Sequence, residues 1–132
     1  MQGRRLLAVD DDPGILAIIQ RVAEEMGFAV ETLSMSARFM TTYVRFKPDV
    51  ITLDVMMPDL DGIEVIRWLS DIETPATVII LSGGSSIYVE LGQKLAEARG
   101  TLRTSILNKP FTLGGLRGAL ASAAEVSAAQ AH

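Results

Sequence analysis

Short apolar runs alternate with longer segments along this chain, and the two differ in the spacing of their apolar positions. The runs cover residues 5–9, 28–33, 49–53, 77–81 and 104–107. In the segments between them, apolar residues recur three and four positions apart, which is typical of helices with one buried face. This alternation of strand and helix, repeated five times, predicts an α/β fold built on a doubly wound, five-stranded parallel sheet.

Local signals mark the ends of the predicted helices. Asp12 and Pro13 are residue types that begin helices, as N-cap and first residue, and Gly27 ends the first helix. The buried face of that helix is predicted to hold Ile15, Ile18, Ile19, Val22 and Met26. The later helices are predicted to begin near residues 36, 62, 86 and 112. The last of them contains several glycines, each costing about 1 kcal/mol relative to alanine, so we expect it to need docking against the sheet.

Composition and charge narrow the class of protein. The chain has 132 residues, 48% of them hydrophobic, which fits one globular domain. Its formal charge of −4 and scattered arginines argue against direct nucleic-acid binding. There is no cysteine, and the apolar run that follows the N-terminus is too short for a signal peptide or a membrane span. We therefore expect a cytoplasmic protein that does not contact a membrane.

The domain itself is predicted to cover residues 1–121. The remaining residues, 122–132, are rich in alanine. They fit a fraying helix end, a linker to a further domain or a segment foreign to the protein, and the sequence leaves these three alternatives open. The only histidine, His132, is the last residue, so no histidine inside the predicted fold could serve as a general base.

Polar and charged side chains follow four of the predicted strands. Asp10 and Asp11 come after the first strand, Asp54 closes the third, Ser82 ends the fourth and Lys109 follows the fifth. Because ligands bind at the carboxyl ends of parallel strands in doubly wound sheets, these side chains are expected to converge at one edge. Carboxylates at short range repel each other, which favours a hard cation such as Mg²⁺ between them.

Taken singly, several of these features have simpler explanations. Asp12 followed by Pro13 is better explained as a helix start than as chemistry. Residues 58–62 read as a turn and helix start, and a lone lysine before proline is usually a solvated charge in an extended dipeptide. The functional interpretation therefore depends on the whole constellation.

Four motifs stand at the ends of the first, third, fourth and fifth predicted strands. They are Asp10-Asp11, Asp54 with Met57-Pro58 and Gly62, Ser82-Gly83, and Lys109-Pro110-Phe111. Their order and approximate spacing resemble those of the response-regulator receiver domain of two-component phosphorelay signalling, and the resemblance covers nearly the whole chain. It implies the flavodoxin-like fold of that family, with strand order 2-1-3-4-5.

The resemblance also implies a metal site. Asp11 corresponds to the direct Mg²⁺ ligand of the family and Asp10 to the carboxylate that acts largely through metal-bound water. Asp54 and the backbone carbonyl of Met56 complete the implied set of ligands.

Phosphorylation is the activity that the resemblance implies. Asp54 corresponds to the aspartate that accepts a phosphoryl group from a histidine kinase or a histidine phosphotransfer protein. Ser82 corresponds to the hydroxyl that then bonds a phosphoryl oxygen, and Lys109 to the cation that pairs first with Asp54 and then with the phosphate. Family members usually hold the Lys109–Pro110 peptide in the cis form. The domain would act as a signalling switch and not as an enzyme.

The chain departs from the family pattern in three ways. Ile106 stands where many receivers carry a tyrosine or phenylalanine, so we expect weaker or differently transmitted coupling, which Ile106→Tyr would alter. Lys109 lies 27 positions after Ser82, a few more than is common, which indicates an extension near the predicted fourth helix. Met56 and Gly84 occupy positions that vary in the family and tune dephosphorylation, so the phosphorylated lifetime is not set by the motifs.

Other functions fit these residues less well than phosphorylation of a receiver domain. A phosphatase of the haloacid-dehalogenase type uses a second aspartate two residues after the first, where this chain has Met56. A flavodoxin-like electron carrier needs a phosphate-binding loop where this chain has three aspartates. A receiver-fold scaffold that is never phosphorylated stays as the main alternative. The output partner, either a downstream protein or a missing output domain, and a phosphorylation-dependent homodimer are left open.

Overall fold

A single five-stranded parallel sheet forms the centre of the computed structural model, which describes residues 4–57, 62–83 and 102–130. Its strands are β1 (Arg4–Val9), β2 (Phe28–Leu33), β3 (Val50–Asp54), β4 (Thr77–Ser82) and β5 (Arg103–Asn108). They are arranged in the order β2-β1-β3-β4-β5. Both the predicted parallel sheet and the predicted strand order are confirmed.

Four α-helices lie within the described residues. They are α1 (Pro13–Glu25), α2 (Phe39–Phe46), α3 (Gly62–Asp71) and α4 (Leu113–Gln130), and a 3-10 turn (Ser36–Arg38) precedes α2. The helix predicted to begin near residue 86 lies outside the described residues, as does most of the turn predicted at 58–62. No helix within residues 4–57, 62–83 and 102–130 has the length and apolar content needed to span a bilayer.

The sheet is covered on both faces, because successive strand residues point to opposite sides. One core cluster joins alternate residues of β1, β3 and β4 to α2 and α3; its helix members include Phe39, Ile66 and Leu69. The other cluster joins the remaining strand residues to α1 and α4; its helix members include Ile19, Leu116 and Leu120. Because the central strands are buried on both faces, only their ends can contact a ligand. The polar residues identified from the sequence lie at the carboxyl ends.

The start of α1 follows the sequence signal. The Asp12 side chain accepts hydrogen bonds from the backbone N–H groups of Gly14 (2.8 Å) and Ile15 (3.3 Å), and Pro13 is the first helical residue. The predicted buried face is wrong at Ile18, which is 43% exposed, while Leu16 is buried in its place. The apolar stripe of α1 is thus centred nearer Leu16 than the spacing of isoleucines indicated.

The C-terminal helix α4 docks as expected. Thr112 caps it by accepting a hydrogen bond from Gly115 N (2.9 Å), and Leu116 and Leu120 are fully buried against the sheet and α1. Ala123 and Ala124 are buried in the same cluster. The helix continues to Gln130, past the predicted domain end at residue 121, and the division of the chain at that position stays a prediction.

Candidate functional site

Three carboxylates meet at the carboxyl edge of the sheet. Asp10 follows β1 and Asp54 is the last residue of β3, and these two strands are hydrogen-bonded neighbours. One carboxylate oxygen from each of Asp10, Asp11 and Asp54 lies within 4.8 Å of the others. Asp10 is completely buried and Asp54 is 5% exposed, whereas Asp11 is exposed. The cluster therefore has a buried floor and one side open to solvent.

Lys109 supplies the positive charge. Its Nζ lies 2.6 Å from Asp10 Oδ2 and 3.3 Å from Asp54 Oδ2. Because β4 separates β3 from β5 in the sheet, the lysine side chain reaches past the end of β4 to make these contacts. Its own backbone N–H donates to the carbonyl of Ser82 (2.6 Å), and the Lys109–Pro110 peptide is cis, as the family resemblance implied.

Backbone N–H groups hold the other oxygen of each buried carboxylate. Asp12 N donates to Asp10 Oδ1 and Met56 N donates to Asp54 Oδ1, each at 2.9 Å. Every oxygen of these two carboxylates thus receives a donor, which fixes the plane of each group. The sequence interpretation did not identify these donors. An aspartate at a strand end that accepts from the N–H two residues later is a common turn pattern, so the spacing could have indicated them.

Burial and charge shift the pKa values of the buried ion pair. Burial raises the pKa of Asp10, and the neighbouring Asp54 charge adds to this, although the hydrogen bonds from Lys109 and Asp12 oppose it. Burial lowers the pKa of Lys109, but its hydrogen bond to Asp10 and the charges of Asp54 and Asp10 outweigh this and raise the pKa above its ordinary value. The lysine therefore stays charged at neutral pH.

The remaining candidate residues lie beside this cluster. Ser82 is the buried last residue of β4, one position beyond the residue that pairs with Asp54 in the sheet. Met56 is 54% exposed, and the role of its backbone carbonyl stays a prediction. Ile106 lies on β5 with 36% of its surface exposed, and its effect on coupling stays a prediction. Gly84 lies outside the described residues.

The residues present fit Mg²⁺. The donor atoms are hard carboxylate oxygens, and Mg²⁺ in proteins uses one or two carboxylates and keeps several waters. Lys109 offsets only one of the three negative charges if all three carboxylates are ionised, so a cation would relieve the remaining repulsion. Asp11 is exposed, so the cluster can be reached from solvent on that side.

A comparison with protein-family models matches residues 6–121 to the response regulator receiver domain. The chain belongs to this family. The resemblance drawn from the sequence is confirmed, and this receiver domain is of the kind found in two-component response regulators.

Relatives of known name support the same assignment. This receiver domain is 35% identical over 112 residues to the transcriptional regulatory protein PrrA of Mycobacterium leprae, covering 85% of this chain and 46% of PrrA. It is 33% identical over 109 residues to the response regulator MprA of the same organism, covering 83% of this chain and 46% of MprA. The receiver domain thus spans about half the length of these relatives.

Among solved structures, a response regulator from Colwellia psychrerythraea is 34% identical, with a TM-score of 0.75, over 92% of this chain and 96% of that one. The signal receiver domain of a Luxo repressor protein from Vibrio parahaemolyticus has a TM-score of 0.83 at 22% identity, over 98% of this chain and 95% of that one. At that identity the second likeness supports the fold alone.

Proposed function

We propose that this receiver domain is a phosphorylation-dependent switch in which Asp54 accepts a phosphoryl group from a histidine kinase or a histidine phosphotransfer protein. The observation that carries the proposal is the contact of Lys109 Nζ with both buried carboxylates, Asp10 at 2.6 Å and Asp54 at 3.3 Å, beside the exposed Asp11. A positive charge beside an oriented carboxylate supports the proposal, because phosphoryl transfer requires a positioned nucleophile and stabilisation of negative charge.

The transfer needs no general acid or general base from this chain. A carboxylate oxygen of Asp54 forms the new bond to phosphorus, and the bond between phosphorus and the donor's histidine nitrogen breaks, with its electron pair going to that nitrogen. Met56 N–H and Lys109 hold the two carboxylate oxygens in place before attack. Afterwards Lys109 and the Ser82 hydroxyl are proposed to hold oxygens of the attached phosphoryl group.

Asp10, Asp11, Asp54 and the Met56 carbonyl are the residues proposed to hold Mg²⁺. When bound, Mg²⁺ supplies positive charge to the phosphoryl oxygens during transfer. Asp10 contributes from a buried position that its backbone donor fixes, and Asp11 contributes from the open side of the cluster.

We further propose that the domain signals and does not turn over a substrate. The position two residues after Asp54, where a phosphatase of the haloacid-dehalogenase type needs an acidic group, is occupied by Met56. Added charge and acceptor oxygens at the sheet edge would bias a loop equilibrium that a partner senses. That partner is proposed to be a downstream protein or an output domain, and the place of action the cytoplasm, where phosphohistidine donors are made from ATP.

The test is the intact mass of the protein after incubation with acetyl phosphate, with and without Mg²⁺. We expect a gain of one phosphoryl group that needs Mg²⁺, is absent in Asp54→Asn and is kept in Asp71→Asn, a control carboxylate exposed on α3. An adduct that is still formed in Asp54→Asn would mean that another residue is the phosphoacceptor. With no adduct and no binding of beryllofluoride in the presence of Mg²⁺, the scaffold function would replace the switch.

A further inference from the structure

One residue joins the start of α1 to the floor of the carboxylate cluster. The Asp12 side chain caps the helix by accepting from Gly14 N and Ile15 N, while the Asp12 backbone N–H donates to Asp10 Oδ1 at 2.9 Å. The sequence analysis assigned Asp12 to the helix alone. In the structure the same residue also contacts a carboxylate of the site.

Within the described residues, two groups donate hydrogen bonds to the Asp10 carboxylate. Asp10 is completely buried, and the Lys109 ammonium donates to Oδ2 while the Asp12 N–H donates to Oδ1. The ammonium stands at the end of a long side chain with several rotatable bonds and would follow the carboxylate if it turned. The Asp12 N–H belongs to the backbone of the N-cap residue of α1, so its direction is coupled to the conformation of the cap.

The side-chain cap adds to what holds residue 12, and with it that N–H, in place. Asp12 adopts an extended conformation (φ −93°, ψ 109°), from which its side chain reaches the first free N–H groups of the helix. Without a side-chain acceptor those N–H groups turn to water and the first turn of the helix frays. Residue 12 would then be held mainly through its carbonyl, which accepts from Leu16 N at 3.1 Å, and the donor to Asp10 would be less firmly directed.

We propose that Asp12 is a positioning residue for the metal-binding carboxylate of Asp10, acting through its cap on α1. This proposal rests on the proposed function, because it concerns the Mg²⁺ site described there. It makes the helix start part of the phosphorylation site, since the capping side chain and the orienting N–H belong to one residue.

A competing explanation is charge. Asp12 is exposed and follows Asp11 directly, so its negative charge alone could draw Mg²⁺ to the cluster. Asparagine separates the two effects, because it caps a helix about as well as aspartate but carries no charge. Positioning predicts that Asp12→Asn restores what Asp12→Ala loses, whereas a charge effect predicts that both variants lose the same affinity.

The first measurement is a calorimetric titration of Mg²⁺ into the full chain, well below the unfolding temperature of each variant. We expect Asp12→Ala to weaken binding about three- to tenfold, less than the loss of a group that orients a metal ligand directly, because the donor is misdirected and not removed. Asp12→Asn should restore most of that loss. Ala17→Gly, at an exposed position within α1, is the control that destabilises the helix without touching the cap.

The second measurement needs no metal. Hydrogen exchange of the residue 12 amide, corrected for local sequence, should be slow in the wild type and in Asp12→Asn and markedly faster in Asp12→Ala. If the wild type binds no Mg²⁺, the proposed metal site fails, while the exchange rates still decide whether the cap holds the donor.

Three results would overturn the positioning role. The first is equal Mg²⁺ affinity in Asp12→Ala and the wild type. The second is an equal loss of Mg²⁺ affinity in Asp12→Ala and Asp12→Asn. The third is a loss of Mg²⁺ affinity in Ala17→Gly as large as that in Asp12→Ala. An unchanged exchange rate in Asp12→Ala would overturn it independently of the metal.

Discussion

Buried threonine hydroxyls show how differently single residues of one type can be satisfied. Thr74 Oγ1 contacts the hydroxyl of Tyr43 and accepts a hydrogen bond from Ala76 N at 3.1 Å. Thr52 Oγ1 and Thr77 Oγ1 are buried and have no hydrogen-bond partner within the described part of the chain. A buried polar group without a partner costs free energy that an apolar group of the same shape does not.

At Thr52 this cost can be removed. Thr52 is completely buried in the central strand β3, and valine has nearly its shape and favours strands. We expect Thr52→Val to raise the free energy of unfolding by about 1 kcal/mol, measured by urea denaturation.

The matched control is Thr74→Val, which removes a hydroxyl with two partners. We expect it to lower the free energy of unfolding by about 1–2 kcal/mol. A loss of stability in Thr52→Val comparable to that in Thr74→Val would mean that the Thr52 hydroxyl has a partner, such as an ordered water.

At the scale of the element, α4 is held by docking more than by its own sequence. Its first turn contains Gly114 and Gly115, and Gly118 follows in the second, yet Leu116 and Leu120 are completely buried. The glycines differ in their surroundings. A Cβ at Gly118 would meet nothing within 4 Å, whereas a Cβ at Gly115 would lie 3.1 Å from Oγ1 of the capping Thr112.

We therefore expect Gly118→Ala to stabilise the protein by about 0.5–1 kcal/mol, because alanine restricts the unfolded chain and favours helix. Gly115→Ala makes the same change in propensity but crowds the Thr112 cap, so its gain should be smaller or absent. Thermal unfolding followed by circular dichroism measures both. Equal gains in the two variants would mean that the Thr112 hydroxyl moves aside without loss.

At the scale of the whole molecule, the sheet order gathers charges that are far apart in the chain. Lys109 is 99 positions from Asp10 and 55 from Asp54, yet its ammonium contacts both. Burial raises the pKa of Asp10 in the folded state, and the repulsion from the Asp54 carboxylate, which the unfolded chain lacks, adds to this. Stability should depend on pH through this residue.

The direction of this pH dependence follows from the linkage between proton binding and folding. Because its folded-state pKa is raised, Asp10 binds its proton more tightly in the folded protein, and its contribution to stability is fully present below its ordinary pKa of 3.8. That contribution is lost as the pH rises through the raised value. Lys109, whose pKa is raised from 10.5, stays charged throughout this window.

We expect Asp10→Asn to gain stability relative to the wild type as the pH rises above 3.8 in the absence of Mg²⁺. Urea denaturation of both proteins at a series of pH values measures the gap. Adding Mg²⁺ near neutral pH should narrow it, because an ion that binds only the folded wild type stabilises that protein. A gap that is constant or shrinks with rising pH would contradict the raised pKa.

Several features could be predicted from the sequence because they depend on neighbours along the chain. The Asp12 cap involves residues two and three positions away, and the strand-end placement of Asp54 follows from the apolar run before it. The prediction was wrong at Ile18 because a residue at the margin of an apolar stripe is buried or exposed according to what packs there. The sequence interpretation also assigned Asp12 to the helix alone and did not identify the contact of its backbone N–H with Asp10.

The sequence by itself determined the order of strands and helices, the ends of α1 and the set of polar residues at the strand ends, since periodicity and capping are local. Only the tertiary structure decided that Lys109 lies nearer Asp10 than Asp54, at 2.6 Å against 3.3 Å, and that backbone N–H groups hold the other carboxylate oxygens. The physical reason is that such distances depend on how the five strands are arranged side by side in the sheet and on which carboxylate is more deeply buried. These are properties of the packed sheet, and no local pattern contains them.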